Sequence, residues 1–229
     1  FQDLPQMGPG VRIMDIQAGK KLSPPRRHPR WNDWRWQLSA SARSPREALR
    51  MAGLKAPARL PEGVFFGATP YYLSLIDGRA PGKDPIFRQC FPRSGELERL
   101  PELSADPLGD GDQSPVPGLI HRYPGRAVLL ATSVCSTYCR FCLRRRNWGF
   151  ADDGGAAAVS GSRLGEICRY IGSHPEIHEI LVSGGDPLMM DDKALLNLLR
   201  RVAALKNVEI IRLGTRAPAV LPMRISGKL

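Results

Sequence analysis

Cys135, Cys139 and Cys142 lie in the run Cys-Ser-Thr-Tyr-Cys-Arg-Phe-Cys, with three residues and then two between the thiols. A single loop of this length at the end of an apolar run can turn all three sulfurs toward one centre, which makes a soft-metal site. A four-iron cubane normally takes four thiolates. Three thiolates therefore hold three irons and leave the fourth open, much as a catalytic zinc keeps one position free. An open iron can bind a reactant. Two other readings compete. A Cys3His zinc site would take His121 or His174 as fourth ligand, but zinc sites usually pair two CxxC-like knuckles and no second pair is present. Free cysteines also pack as small hydrophobes, although three within eight residues beside arginines make a poor core. Cys90 and Cys168 stand alone in apolar contexts and read as packing residues.

The cysteines need a scaffold, and the apolar runs at 127–132, 177–182 and 208–213 suit buried parallel strands. Between them Leu164, Ile167, Tyr170 and Ile171 share one helical face, and Asp191-Asp192 can cap a helix carrying Leu195, Leu196, Leu199, Val202 and Leu205. Alternating strand and helix predicts right-handed βαβ units. On such sheets functional residues gather at the carboxyl ends of strands. The cysteine loop follows the first run, Ser183-Gly184-Gly185-Asp186-Pro187 the second, and Gly214-Thr215-Arg216 the third. Glycines after a strand let backbone approach a ligand closely, and their carbonyls can accept from an ammonium group. Alone, Gly-Gly-Asp-Pro reads as a turn; in register with the cysteine loop it reads as a binding segment. The planar fork of Arg216 suits a carboxylate, or an ion pair within the fold. Tyr138 and Phe141, interleaved with the cysteines, read as shielding from water and oxygen.

Upstream, residues 1–30 form a basic Pro/Gly-rich arm whose closing prolines cannot sustain a helix. Residues 31–125 read as a helical and irregular region: tryptophans 31, 34 and 36 begin a helix, and Ser44-Pro45-Arg46-Glu47 is a capping box with proline at the first helical position. Gly53 is placed to terminate that second helix, and a short helix fits at 68–76 between Pro/Gly breaks. Residues 126–229 then hold three strand–helix units. A closed eight-stranded barrel takes about 250 residues, so the chain is expected to be part of a longer protein.

At 229 residues and 42% hydrophobic the chain can bury a sizeable core. No apolar run approaches the roughly 20 residues of a membrane span, and the opening stretch lacks a secretory pattern. Five cysteines, three of them clustered, point to metal chemistry in a reducing compartment rather than a disulfide framework. The expectation is a soluble, cytoplasmic protein with no membrane partner. The net charge of +11 invites a nucleic-acid reading. Yet residues 1–50 alone hold ten Lys/Arg against four Asp/Glu, so most of the excess is local and reads as solvated arginine-rich surface. Nucleic acid is not the expected partner. The reading from another class is a basic zinc-containing nucleic-acid-binding module, which predicts zinc, no nucleotide cofactor and steeply salt-dependent affinity.

A CxxxCxxC loop closing a strand resembles that of the radical S-adenosylmethionine (SAM) enzymes, and further segments narrow the likeness. Trp-Asn-Asp-Trp-Arg-Trp at 31–36, Ser-Pro-Val-Pro-Gly-Leu at 114–119, His-Arg-Tyr-Pro at 121–124, Cys-Leu-Arg-Arg-Arg at 142–146, Ser-Gly-Gly-Asp-Pro-Leu at 183–188 and Gly-Thr-Arg-Ala-Pro at 214–218 follow in the order seen in the lysine 2,3-aminomutase family. The resemblance runs from about Trp31 to the last residue. It implies an α/β fold, the first half of a partial (β/α)6 radical SAM barrel preceded by a mainly helical N-terminal region. It also implies an isomerase with a [4Fe-4S] cluster, SAM and pyridoxal 5′-phosphate (PLP), interconverting L-lysine and β-lysine by amino migration, the cofactors carrying the hard chemistry. Related activities it allows are β-lysine formation for elongation-factor modification and glutamate or arginine 2,3-aminomutation.

Carried over residue by residue, the resemblance gives the cluster to Cys135, Cys139 and Cys142, and SAM to Ser183, Gly184, Gly185, Asp186 and Arg216. It gives PLP to Arg122, Tyr123 and Arg126, and the substrate carboxylate to Arg144. Structural readings stand beside the last two, a structural arginine pair for Arg122 and Arg126 and a solvated arginine run for Arg144–Arg146. The lysine that holds PLP and the acidic residues that recognise a lysine ammonium belong to the later half of the family's length. The implied partners are a small amino-acid substrate and an electron donor for the cluster, with a homo-oligomer left open.

Overall fold

The computed structural model describes residues 28–55, 64–98, 101–145, 159, 161–227 and 229. The basic arm expected over residues 1–30 lies outside them as far as residue 27, as does Arg146. The N-terminal region carries four short α-helices: α1 (Trp34–Ser39), α2 (Pro45–Met51), α3 (Pro70–Ser74) and α4 (Pro85–Cys90). Each starts on a polar cap. Asp33 Oδ1 accepts from the N–H groups of Arg35 and Trp36, Thr69 Oγ1 from that of Tyr72, and Asp84 Oδ1 from that of Phe87. In α2 the expected box is present in a shifted form. Ser44 Oγ accepts from Glu47 N–H, but the Glu47 carboxylate reaches back to Arg43 N–H rather than to that of Ser44. The helix ends as the sequence predicts. Gly53, at φ 68°, lets Leu54 N–H reach Leu49 O at 2.8 Å and its own N–H reach Arg50 O at 3.1 Å. Leu49, Phe66, Tyr72, Leu73, Phe87 and Phe91 from these elements form one apolar cluster.

A four-stranded sheet follows, with strands in chain order: β1 (Leu119–Tyr123), β2 (Arg126–Thr132), β3 (Glu179–Gly184) and β4 (Ile210–Leu213). Helix α5 (Gly161–Gly172) lies between β2 and β3 in the chain, α6 (Asp192–Ala203) between β3 and β4, and the short α7 (Ala217–Val220) follows β4. The three expected strands are β2, β3 and β4, paired in parallel. β1 is an addition to the sequence reading, which left its residues in the irregular region. It pairs antiparallel with β2 through the two-residue Pro124-Gly125 turn, so the sheet is mixed.

Alternate residues of β2, Ala127, Leu129 and Ala131, are buried against Leu164, Ile167 and Ile171 of α5 and Leu195, Leu198 and Val202 of α6. Two expectations change here. The buried row of α6 runs through Leu198, whereas Leu196 is 46% exposed; one residue is about 100° of helical turn, which carries Leu196 off the face that Leu195 presents. The run at 208–213 forms an edge strand rather than a fully buried one. Ile210 and Leu213 stay about two-fifths exposed, because no strand among the described residues pairs with its outer side. Among the described residues no helix is long and apolar enough to cross a membrane.

The phase of α6 is directly testable. Leu198→Ala should cost about 2–5 kcal/mol in urea-induced unfolding, the range for a buried leucine, whereas Leu196→Ala should stay within about 0.5 kcal/mol, as for surface changes.

Candidate iron–sulfur site

The carboxyl end of β2 runs into the cysteine loop, and backbone contacts fix how that loop leaves the sheet. Pairing between β2 and β3 shifts register after Leu130, an irregularity of the kind that re-aims a strand end beside a site. Gly185 N–H donates to Thr132 O, and Asp186 N–H to Val134 O at 2.8 Å. Gly184 sits at φ 116°, and a Cβ on Gly185 would collide with the Val134 carbonyl. Both glycines are therefore required by strand-to-loop packing, since only glycine tolerates that φ and that approach.

The Asp186 side chain is buried. Its Oδ1 accepts from Leu188 N–H at 3.0 Å and Thr215 Oγ1 at 2.7 Å, and its Oδ2 accepts from Arg216 N–H at 2.8 Å. One carboxylate thus joins the loop after β3 to the loop after β4. Arg216 is presented to the cysteines from that anchor. Its Nη1 donates to Cys139 Sγ, its Nη2 donates to Gln89 Oε1 at 2.6 Å, and its guanidinium carbon stands 5.4 Å from the centre of the Phe141 ring.

The N-terminal region holds the loop from the other side. Tyr138 N–H donates to Gly67 O at 3.0 Å, and its ring meets Phe65 edge-on at 4.6 Å between centroids. Arg140 N–H donates to Gln89 O and Arg140 Nη1 to Arg88 O, at 2.8 and 2.9 Å. Glu96 gathers Arg140 Nε, Arg145 Nη2 at 3.3 Å and Arg93 N–H at 2.8 Å. Arg144 Nε pairs with the buried Asp110 carboxylate at 2.8 Å. The arginines around the cysteines thus meet carboxylates of the same chain rather than solvent alone.

The three thiols are free and partly buried. Burial pushes Cys135 well above the ordinary thiol range, and the Asp186 carboxylate and the neighbouring Cys139 and Cys142 sulfurs push it the same way. Burial also raises Cys139, against the opposing pull of the Arg216 guanidinium. Among the described residues, however, no three Cys, His, Asp or Glu side chains already stand grouped as a metal-ligand set. The fit to an iron–sulfur centre rests on donor chemistry: three soft thiols on one loop and a guanidinium donating to one of them.

Arg216 therefore meets Cys139 and is anchored by Asp186, with Cys135 and Cys142 on the same loop and Ser183, Gly184 and Gly185 on the same end of the sheet. Arg122, Tyr123 and Arg126 do not join them. They flank the turn at the amino end of β2, about 20 Å of strand away at roughly 3.3 Å per residue. Tyr123 and Arg126 are exposed there, and Arg122 Nη1 donates to Leu108 O at 3.1 Å. The three residues thus stand apart from the cysteine loop at the other end of β2. His121 and His174, weighed as zinc ligands, both engage Tyr170 instead, at its hydroxyl and its carbonyl. Phe141 is 61% exposed, so the shielding expected of both aromatics falls to Tyr138. Cys90 and Cys168 pack in apolar surroundings as expected. Gln89, Glu96 and Asp110 are the residues that sequence reasoning missed, for they lie in segments without motif or periodicity.

Comparison with known proteins agrees with this assembly. Residues 123–214 match the family model of a 4Fe-4S single cluster domain. The chain is 38% identical over 219 residues to the L-lysine 2,3-aminomutase of Fusobacterium nucleatum, covering 93% of this chain and 50% of that protein. It is 39% identical over 204 residues to the L-lysine 2,3-aminomutase of Clostridium subterminale, covering 87% and 48%. For the enzyme of that name from Bacillus subtilis the identity is 39% over 207 residues, covering 87% and 42%. The chain spans about half the length of these relatives.

Two measurements probe the site's supports. Glu96→Ala removes the acceptor shared by two arginines and a backbone N–H, so amide hydrogen exchange across residues 136–145 should accelerate about tenfold, equivalent to about 1.4 kcal/mol, while α5 and α6 keep their protection. Burial pushes the Cys90 thiol up to about 12, so at about pH 8 it stays protonated and should resist iodoacetamide until the chain is denatured, as read by peptide mass spectrometry.

Proposed function

The chain belongs to the lysine 2,3-aminomutase family, and from that premise we propose that it is the cluster-bearing part of a radical SAM amino-acid 2,3-aminomutase acting on L-lysine. The observation that carries the proposal is the contact of Arg216 with Cys139, on the one loop that also carries Cys135 and Cys142, at the carboxyl ends of the parallel strands. That end of the sheet is where α/β enzymes build their sites. The partial barrel fits the same reading, because three parallel strands pair in chain order.

In this proposal Cys135, Cys139 and Cys142 hold the [4Fe-4S] cluster. A cluster held there would supply the electron for reductive chemistry on SAM, with an external donor as its source. The chain's own residues bind and orient. Asp186 fixes the backbone of Arg216, and its oxygens are already taken by three internal donors, so it acts by positioning. Arg216 is the cation for the SAM carboxylate, and both its terminal nitrogens are engaged, so the carboxylate takes the place of one present acceptor. Ser183, Gly184 and Gly185 offer backbone to the SAM ammonium. Tyr138, packed on Phe65 and Gly67, excludes water from one side of the loop. Arg144 is the cation for the substrate carboxylate, and Asp110 holds it in place. The resemblance alone supports PLP dependence, with Arg122, Tyr123 and Arg126 as the phosphate-side residues.

The test is anaerobic loading with iron and sulfide, followed by EPR of the dithionite-reduced chain with and without SAM. A four-iron signal that changes shape on adding SAM is expected, and its absence in Cys135→Ser places it on this loop. Uptake of zinc alone, or a cluster signal indifferent to SAM, would sink the proposal and favour the zinc-containing nucleic-acid module.

A further inference from the structure

Gln89 lies on α4, 127 residues before Arg216 in the chain, and it touches the site twice. Its Oε1 accepts from Arg216 Nη2 at 2.6 Å and, more weakly, from Tyr72 OH at 3.4 Å. Its main-chain carbonyl accepts from Arg140 N–H, between Cys139 and Cys142, at 2.8 Å. Tyr72 is itself buried, so the amide rests on a fixed neighbour. Arg216 is therefore held twice, at its backbone N–H by Asp186 and at one end of its fork by Gln89. The other end of the fork has one direction left, and it meets Cys139 Sγ.

The choice of an amide matters. A carboxylate at position 89 would form an ion pair with the guanidinium and cancel its charge. An amide oxygen accepts the hydrogen bond and leaves the full positive charge facing the sulfur. Hydrogen bonds and charge at ligating sulfurs set the potential of an iron–sulfur centre.

We infer that Gln89 is a positioning residue that holds the Arg216 guanidinium on the Cys139 sulfur, and that this pair raises the reduction potential of the iron–sulfur centre. The inference rests on the cluster reading given above. Reduction adds one electron from an external donor and one negative charge to the centre, with no bond made or broken. A fixed cation donating to a ligand sulfur stabilises that added charge, so the potential rises. Losing the cation or its orientation lowers it.

The experiment compares the parent chain with Gln89→Glu and Gln89→Met, each anaerobically loaded with iron and sulfide. Midpoint potentials are read by EPR-monitored potentiometry without SAM, alongside iron content and far-UV circular dichroism. Gln89→Glu should shift the midpoint negative by about 59 mV or more, a tenfold change in a one-electron equilibrium. Gln89→Met should shift it less in the same direction, because Arg216 keeps its charge but loses its guide. Midpoints equal to the parent's at full iron content would overturn the inference and leave the cluster reading standing. Loss of iron from both variants with an unchanged dichroism spectrum would also overturn it, since Gln89 would then build the site rather than tune it. A parent chain with no four-iron signal takes down both.

Discussion

Asp186 accepts three hydrogen bonds from two different loops in a place water scarcely reaches. A buried carboxylate stripped of such donors costs several kcal/mol, so the loops after β3 and β4 are committed to one relative position. The direction of the Arg216 side chain follows from that commitment. The exit path of the cysteine loop follows from a neighbouring one, because Gly185 and Asp186 also donate to the last carbonyls of β2 and its loop. Three strand ends are thereby locked by a stretch of two residues.

The helical N-terminal region takes a direct part in this arrangement. Three of its four α-helices begin on Ser-Pro, Thr-Pro or Asp-Pro steps with the preceding side chain capping the first turn, which lets short helices persist where intrinsic propensity would not hold them. That stiffness places Arg88 and Gln89 against the cysteine loop, and Glu96 meets it from the turn that follows α4. The sheet presents the sulfurs, and the helical region fixes their surroundings.

Legibility in the sequence followed the range of the interactions. The three parallel strands, the phase of α5, the caps at Ser44 and Asp191, and the stop at Gly53 were readable because each is decided by near neighbours in the chain, whereas the first helix, read as beginning at Trp31, begins at Trp34 on an Asp33 cap. The cysteine spacing and the order of motifs at strand ends were readable for the same reason. The strand at Leu119–Tyr123 was missed although the Pro-Gly turn and two apolar residues were its signal, because it is short and continues an irregular stretch. Leu196 was misplaced since five apolar residues in α6 make a stripe too wide to phase by pattern alone. Gln89, Glu96 and Asp110 had no signal. Their contacts with the site arginines span between 34 and 127 residues, and a glutamine on a short helix looks like any exposed polar residue. Arg122, Tyr123 and Arg126 show another limit: a motif beside a strand in sequence does not tell which end of that strand it occupies.

The separation between Gln89, the cysteines and Arg216 along the chain also sets an order in time. The ribosome releases Gln89 and Glu96 first, then all three thiols, and Asp186 and Arg216 only after α5 and β3 have been made. Through that interval a nascent chain exposes a complete set of sulfurs with the helical wall available and the guanidinium still missing. Iron that reaches the loop early meets three thiols with the Asp186 clamp still absent; iron that arrives late meets the finished surroundings.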